Sequence, residues 1–482
     1  MYNNSSSKYS EIFYSTTKYV ILKNIFMFIT GIIGIFIVRL LGPYEYGKWS
    51  LVWQLIGTLG PIVSLGWMTT LAKFIPEKKE FTEKKELFSK SIISTIISGI
   101  TFGILFLFIS YILSKFIPIE IRQIKFTFVI FVLLIALFNI FEGMYRGLGK
   151  FNEWTIIDGL RSNLGSVGGI ILVIVGYRYY QTILYSNFIF ALLFIIFIFF
   201  FYLKQYLNTK KIWNLHIEKS VRNFAVIMLV GQISFLLGTS IDSIMLRTLL
   251  KDPSQVGFYN AGIRIPKMLE IMFIGPLSAP FLYYFSHPDT VQSREKIIEF
   301  SSKMLGLIFG FISLFLFAFA NEIVILLFGK NYYNSISVLR FFSLNLFMLG
   351  YTILFNPYFS SINKPILPTF LGIFNFLLFF IFNLLFIPSY KSLGPAISIF
   401  IVETIFAVIM VSIISKSIIK CFKNFIILYI CIIISVISGL FITYYISLLL
   451  FIISIFLTKL FSFSDIKLCK KLITDYTKKT EY

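Results

Sequence analysis

The chain has 482 residues, 57% of them hydrophobic and only 13% charged, with a formal net charge of +21. Soluble domains carry about 25% charged residues, so an ordinary globular enzyme is excluded. The apolar residues gather into runs of about 20, the length of a transmembrane helix, rather than the alternating segments of about 10 that a membrane β-barrel would show.

The expected class is therefore an all-α polytopic membrane protein. Spans are predicted near residues 18–41, 49–72, 91–114, 126–148, 155–176 and 181–203. After a basic loop they resume near 224–249, 257–285, 300–328, 336–361, 366–388, 393–414, 424–444 and 446–463. These make about fourteen transmembrane helices: two pseudo-symmetric six-helix bundles plus two C-terminal helices. The corresponding domains are 1–203, a linker at 204–223, a second bundle at 224–414, and 415–482 with a basic tail. The polar start Met1–Ser10 and the long first apolar run speak against a cleavable signal peptide.

Charge predicts the topology. Most of the 43 Lys and Arg fall on alternate loops: the N-terminus, Lys73–Lys90, Lys150, Lys204–Arg222, Arg294–Lys303, Lys364, Lys416–Lys423 and the tail. The positive-inside rule places that side, and with it both termini, in the cytoplasm of a multi-pass protein of the cytoplasmic membrane. Positive loops of this kind contact anionic membrane lipids and argue against nucleic acid as a partner. Two of them carry apolar residues. The stretch from Pro76 to Phe88 reads as a short helix with Glu/Lys pairs and a Phe81, Leu87, Phe88 face. Lys204–Arg222, with Trp213 and Leu215, reads as an interfacial linker.

A repeat marks the two halves. Arg39-Leu-Leu-Gly-Pro-Tyr-Glu-Tyr-Gly-Lys-Trp49 lies between the first two spans, and Arg247-Thr-Leu-Leu-Lys-Asp-Pro-Ser-Gln-Val-Gly-Phe-Tyr259 lies between the seventh and eighth. Pro43/Pro253, Glu45/Gln255, Gly47/Gly257 and Trp49/Tyr259 keep the same mutual spacing. Each copy reads as an outward-facing chain reversal made by Gly and Pro, a plan common in secondary transporters.

Ionisable groups within spans cost about 2.5–3.5 kcal/mol each, so each invites a functional reading. Arg39, Arg340 and Lys459 lie near span ends and can snorkel. The deeper set is Glu142, Arg146, Asp158, Arg161, Asp242, Arg264, Lys267, Glu270, Glu322 and Glu403. Asp158/Arg161 and Glu142/Arg146 stand one helical turn apart and can neutralise each other. Arg264 and Lys267 share one helix face with only Glu270 as a local counter-charge, which suits a phosphate or pyrophosphate. Gly262 and Pro266 interrupt the same helix, and Gly60-Pro61 and Gly275-Pro276 permit bending in the elements after each repeated turn. Gly143-x-x-x-Gly147, Gly165-x-x-x-Gly169 and Gly306-x-x-x-Gly310 read as helix-packing marks.

Catalytic signatures are absent. The three Cys and the loop residues His216 and His287 lack metal-ligand spacing, and there is no nucleotide loop or hydrolase elbow. No catalytic residue, metal or cofactor is expected.

The residues from Lys23-Asn24 through Gly47 resemble the N-terminal signature of polysaccharide-unit flippases of the Wzx type, in the multidrug/oligosaccharidyl-lipid/polysaccharide exporter superfamily. The resemblance continues in Gly66 to Pro76, Ile241-Asp-Ser-Ile-Met-Leu246, Val256-Gly-Phe-Tyr-Asn-Ala-Gly262, Leu327-Phe-Gly-Lys-Asn-Tyr332, Asn375 to Pro388 and Leu393-Gly-Pro-Ala396. It implies two bundles around a cationic cavity, alternating access, and a polyprenyl-linked oligosaccharide as the partner of a monomeric flippase. Arg264, Lys267, Arg161 and Arg146 are the residues expected to hold its phosphate. The related lipid II flippases carry a sodium site, and Asp242, Asn375 and Thr404 occupy roughly matching helices here, which implies a monovalent cation as a further partner. The second acid expected on the eleventh helix is absent, since Phe379 follows Asn375 by one turn. The alternatives are a cation-coupled multidrug exporter of the same fold and a membrane glycan polymerase or glycosyltransferase.

Overall fold

A computed structural model describes residues 3–112, 117–206, 217–274, 294–362, 366–415 and 419–458, with positions 277, 281–282, 285 and 364. Helices account for nearly all of these residues, and no strand occurs among them. In lipid, backbone polar groups must be satisfied within the segment, and long apolar runs do so as α-helices. Among the described residues, nine stretches are long and apolar enough to cross a membrane. Two of them, Lys18–Val63 with 46 residues and Phe370–Ile414 with 45, have the length of two crossings at about 20 residues each. The expected all-helical, multi-pass fold is what the chain adopts.

The first compact unit is Met1–Asn260 and the second is Ala261–Tyr482. In the first, α1 (Asn3–Val63) is broken at Gly42, whose backbone (φ 73, ψ 168) lies where only glycine is relaxed. Packing shows that the chain reverses there. The segment before Gly42 runs alongside α6 (Phe151–Ile174): Tyr19 meets Phe151 at 5.9 Å, and Thr30 Oγ1 donates to Asn163 Oδ1 at 2.9 Å. The segment after it runs alongside α5 (Lys125–Gly147), with Trp53 on Phe131 at 6.0 Å and Gly60 against Ile135. Tyr145 against Trp154 and Phe138 against Arg161 show α5 and α6 to be antiparallel, so the two segments of α1 are antiparallel too.

The expected second span does not run unbroken to residue 72. It ends at Val63, and α2 (Trp67–Glu77) restarts after Leu65 and Gly66, both with positive φ. Gly66 is required because α8 (Lys219–Leu250) crosses it: a Cβ there would lie 2.4 Å from the Ala225 carbonyl oxygen. The expected short helix at Pro76–Phe88 is likewise absorbed into its neighbours. Pro76 belongs to α2, and Phe81 starts α3 (Phe81–Ile112), one continuous helix of 32 residues. Leu87 and Phe88 are buried, while Phe81 is exposed and rests on the Tyr206 ring at 5.2 Å. The short α4 (Ile119–Gln123) precedes α5, and α7 (Tyr180–Ile198) follows α6. Trp213, Leu215 and His216 of the predicted linker lie outside the described residues, as do His287, Gly275-Pro276 and Lys459.

In the second unit, α9 (Pro253–Leu269), whose start belongs to the first, continues into a π-helical turn at Glu270–Ile274. Then come α10 (Arg294–Ala318), α11 (Ala320–Phe328) and the short helices α12 (Ser335–Ser343), α13 (Asn345–Thr352) and α14 (Phe355–Ser361), which divide the expected span 336–361. The remainder are α15 (Ile366–Tyr390), α16 (Gly394–Ser415), α17 (Ile419–Phe441) and α18 (Tyr444–Leu457). Only Ile442 and Thr443 separate the last two.

The core of this unit joins α10, α13, α16, α17 and α18 through Leu314, Phe347, Met410, Leu428 and Phe451. Tyr351 Oη donates to the Cys421 carbonyl at 2.6 Å within it. All three Gly-x-x-x-Gly marks pack helices. Gly143 and Gly147 meet Met68 and Ile75, Gly165 and Gly169 meet Asn187 and Ile183, and Gly306 and Gly310 meet Tyr351 and Phe451.

Candidate functional site

The second unit holds the cationic turn singled out in the sequence. Gly262 lets α9 press against α12: a Cβ there would lie 2.7 Å from Val338 and 3.0 Å from the Ser335 carbonyl oxygen. Pro266 has no backbone N–H to give to the preceding turn, and the helix loosens into the π turn at Glu270. Between these features stand Arg264 and Lys267, both half-buried and one turn apart. Lys267 Nζ sits 3.0 Å from Glu270 Oε2 and 5.7 Å from the centre of the Phe342 ring. From the α15–α16 pair, Asn375 Nδ2 donates to Glu403 Oε1 at 3.2 Å. Glu403 in turn interacts electrostatically with Lys267 and Glu270. Thr404 spends its hydroxyl on the Phe400 carbonyl of its own helix, at 2.7 Å.

The first unit holds Arg146 and Arg161. Both form the pairs that their spacing allows. Arg146 bonds to Glu142, and Arg161 Nη2 lies 2.7 Å from Asp158 Oδ1 with its guanidinium 4.5 Å from the centre of the Phe138 ring. Glu142 also interacts electrostatically with Asp158 and Lys23, which makes one cluster of the two pairs. The four expected phosphate ligands thus fall two to each unit. Of the expected ion ligands, Asp242 belongs to the first unit, where its Oδ2 accepts from the buried Tyr259 hydroxyl at 2.6 Å and its Oδ1 from the Ser243 N–H at 2.6 Å. Asn375 and Thr404 belong to the second.

Sequence reading missed a polar seam in the first unit, where α1 meets α8 and the start of α9. Gly47 and Gly257, the equivalent glycines of the repeat, face each other. A Cβ on Gly47 would lie 1.8 Å from the Pro253 carbonyl oxygen, and one on Gly257 would lie 2.0 Å from that of Pro43. Beyond them Gln54 Nε2 donates to Asn260 Oδ1 at 2.8 Å, Asn260 Nδ2 donates to Ser50 Oγ at 3.1 Å, and Thr58 and Ser240 share a bond of 2.8 Å. At the seam's end Arg247 donates twice to Glu120 Oε1, at 2.8 and 3.2 Å, and Glu120 is only 1% exposed. Tyr180 joins in, its hydroxyl donating to the Glu120 carbonyl and its N–H to Glu45 Oε2. The one signal available was the repeat, which marks Arg247, Glu45 and the two glycines. Nothing marks Glu120, 127 residues away from its partner.

A family described as "Polysaccharide biosynthesis protein" matches residues 12–286. No curated protein is significantly similar to the chain. Among solved structures, the lipid II flippase MurJ in an inward closed conformation superposes with a TM-score of 0.71 at 15% identity, covering 90% of this chain and 98% of that one. An inward-facing multidrug resistance MATE transporter of the MOP superfamily gives 0.66 at 17% identity, covering 84% and 99%. A MOP superfamily transporter from Pyrococcus furiosus gives 0.57 at 17%, covering 82% and 93%. At these identities the likeness is one of fold, and it bears out the all-helical, polytopic fold expected from the sequence.

Proposed function

The chain belongs to the polysaccharide biosynthesis protein family, and from that premise we propose that it is a flippase. It moves a polyprenyl-linked oligosaccharide or polysaccharide repeat unit across the cytoplasmic membrane by alternating access. The observation that carries this reading is the half-buried cationic turn Arg264–Lys267, set in a helix that Gly262 and Pro266 shape and a π turn ends. A sugar–phosphate head needs a polar path and cationic contacts, while its polyprenyl tail stays in lipid. Lys267 reaches a phosphate by exchanging its contact with Glu270. Arg146 and Arg161 serve the same head at a later stage, by exchanging Glu142 and Asp158. The basic loops face the cytoplasm, where such a substrate is built. Cation coupling through Asp242, Asn375 and Thr404 belongs to the same proposal.

The test is translocation of a fluorescent polyprenyl-diphosphate sugar in liposomes holding the purified chain. Arg264→Ala with Lys267→Ala lowers the rate at least about tenfold, the loss of one charge-assisted contact of 1.5–3 kcal/mol. An unchanged rate in a correctly folded double variant refutes the phosphate assignment. Transport of cationic drugs in place of the glycolipid refutes the substrate class.

A further inference from the structure

The first unit holds a cavity of about 200 Å³ between the second segment of α1 and helices α3, α4, α5 and α8. Its wall is almost wholly hydrocarbon. Leu51, Leu55 and Leu59 recur every four residues and make one stripe along α1, about 12 Å long at 1.5 Å per residue. Phe106 and Phe128, with ring centres 5.1 Å apart, form another part of the wall, joined by Ile121 and Ile244. Such a lining offers water no hydrogen-bond partner, and apolar cavities of about 150 Å³ stay dry and take up hydrocarbon instead.

The two polar residues of the lining, Arg247 and Thr248, are neighbours near the end of α8. Thr248 spends its hydroxyl on the Ile244 and Met245 carbonyls of its own helix. Arg247 donates from Nε and Nη2 to Glu120, and among the described residues nothing accepts from its Nη1. Further cations stand at the ends of the same helices. Lys125 lies one turn before Phe128 on α5, exposed Lys251 lies one turn after Arg247, and exposed Arg122 follows Ile121 on α4. Two carboxylates accompany these four cations. Glu120 is bonded to Arg247, and Asp252 accepts from the Ser254 N–H at 2.9 Å and from Gln255 at 3.3 Å in its own turn. An apolar slot whose mouth carries an excess of two positive charges matches an amphiphile with an anionic head.

We propose that this cavity binds one acyl chain of an anionic phospholipid, with the phosphate at Lys125 and Lys251 and an ester carbonyl on Arg247. The ester is what selects a phospholipid over a polyprenyl phosphate. Arg247 stands where the apolar slot gives way to the charged mouth, and only an acylated glycerol brings an acceptor to that boundary between chain and head. A single stripe of leucines suits part of one chain, and the second chain of the same lipid lies in the bilayer. The site is independent of what the protein transports. Assigning it to the outer leaflet rests on the topology given above, whereas its chemistry does not.

Native mass spectrometry of the full chain, delipidated in detergent and titrated with phosphatidylglycerol or with phosphatidylcholine of the same chains, tests the site without any transport assay. The chain retains one phosphatidylglycerol at least about tenfold more tightly than phosphatidylcholine, and Lys125→Gln with Lys251→Gln brings the two lipids to parity. Leu55→Trp fills the slot and weakens both lipids at least about tenfold, the loss of roughly two buried methylenes. Equal retention of the two lipids by the unsubstituted chain, or unchanged retention in Leu55→Trp, overturns the proposal. Displacement of phosphatidylglycerol by an equal concentration of a polyprenyl phosphate overturns the choice of occupant. If Leu55→Trp does not fold, the unsubstituted chain decides. Phosphatidylglycerol carrying a photoactivatable group within its acyl chain labels Leu59 or Phe106, and label confined to the exposed Ile97, Ile100 and Ile104 of α3 refutes the site.

Discussion

Replacing Gly47 by Ala puts a methyl group where the Pro253 carbonyl oxygen already stands. The ideal Cβ position is 1.8 Å from that oxygen, and real contacts of this kind essentially never fall below 3.0 Å, so the backbones must part by at least 1.2 Å. The obstacle is main chain, which no rotamer change can relieve. Overpacking of a fitted interior costs about 1–3 kcal/mol, and a backbone obstacle belongs at the upper end. Three kcal/mol is about a hundredfold in the equilibrium between packed and parted seam. The assay is disulfide trapping of Ser50→Cys with Asn260→Cys, whose native side chains are 3.1 Å apart. Trapping slows about a hundredfold in Gly47→Ala, and Gly257→Ala behaves similarly because its Cβ would lie 2.0 Å from the Pro43 oxygen. Combining the two gives less than the product of the separate effects, since one parting relieves both. Gly57→Ala in the same helix has nothing within 4 Å and leaves trapping unchanged. Trapping rates in Gly47→Ala within twofold of the parent would refute the argument.

Three further outcomes follow from other contacts. Arg247→Ala strands the buried Glu120 carboxylate and costs about 3–5 kcal/mol in thermal unfolding, whereas Arg247→Met with Glu120→Gln recovers much of it. Tyr351→Phe removes a buried 2.6 Å bond to the Cys421 carbonyl and costs about 1 kcal/mol by the same measurement. The expected span 300–328 ends at Ala318, which leaves α11 outside the membrane-length stretch; there the Tyr445 hydroxyl donates to Glu322 at 2.6 Å and holds its carboxyl below the usual range. A depressed folded-state value stabilises above the unfolded one, near 4.3, and that stabilisation is lost as pH falls through the folded value. Hydrogen exchange at Ile442–Ile446 therefore accelerates only in acid, and Tyr445→Phe abolishes the pH dependence.

Much of the architecture was legible because lipid makes length and polarity decisive. Apolar runs became helices, and Gly42 and Pro43 marked a true reversal between two antiparallel segments. The three glycine pairs were packing marks, since each sits where another helix approaches closely. Local ion pairs were equally readable: Glu142–Arg146 and Asp158–Arg161 depend only on the helical repeat. What escaped was everything decided by distant approach. Gly66 interrupts a uniformly apolar run because Ala225 crosses there, and Glu120 finds Arg247 across 127 residues. The bond from Asn375 to Glu403 on the next helix is likewise one that periodicity alone does not select.

The last two helices are bound into the second unit's interior, and this has a consequence for how the protein is made. Gly310 of α10 rests against Phe451 of α18, and the guanidinium of Arg340 lies 3.3 Å from the centre of the Tyr444 ring. A ribosome adding about 5–20 residues per second needs roughly 7–28 s to travel from residue 310 to residue 451. Throughout that interval the Gly306–Gly310 face of α10 has been synthesised while its final partner has not. The second unit therefore matures only after residue 451 has been made, and a chain lacking α17 and α18 leaves Tyr351 and Phe347 uncovered, a defect of assembly before it is a defect of transport.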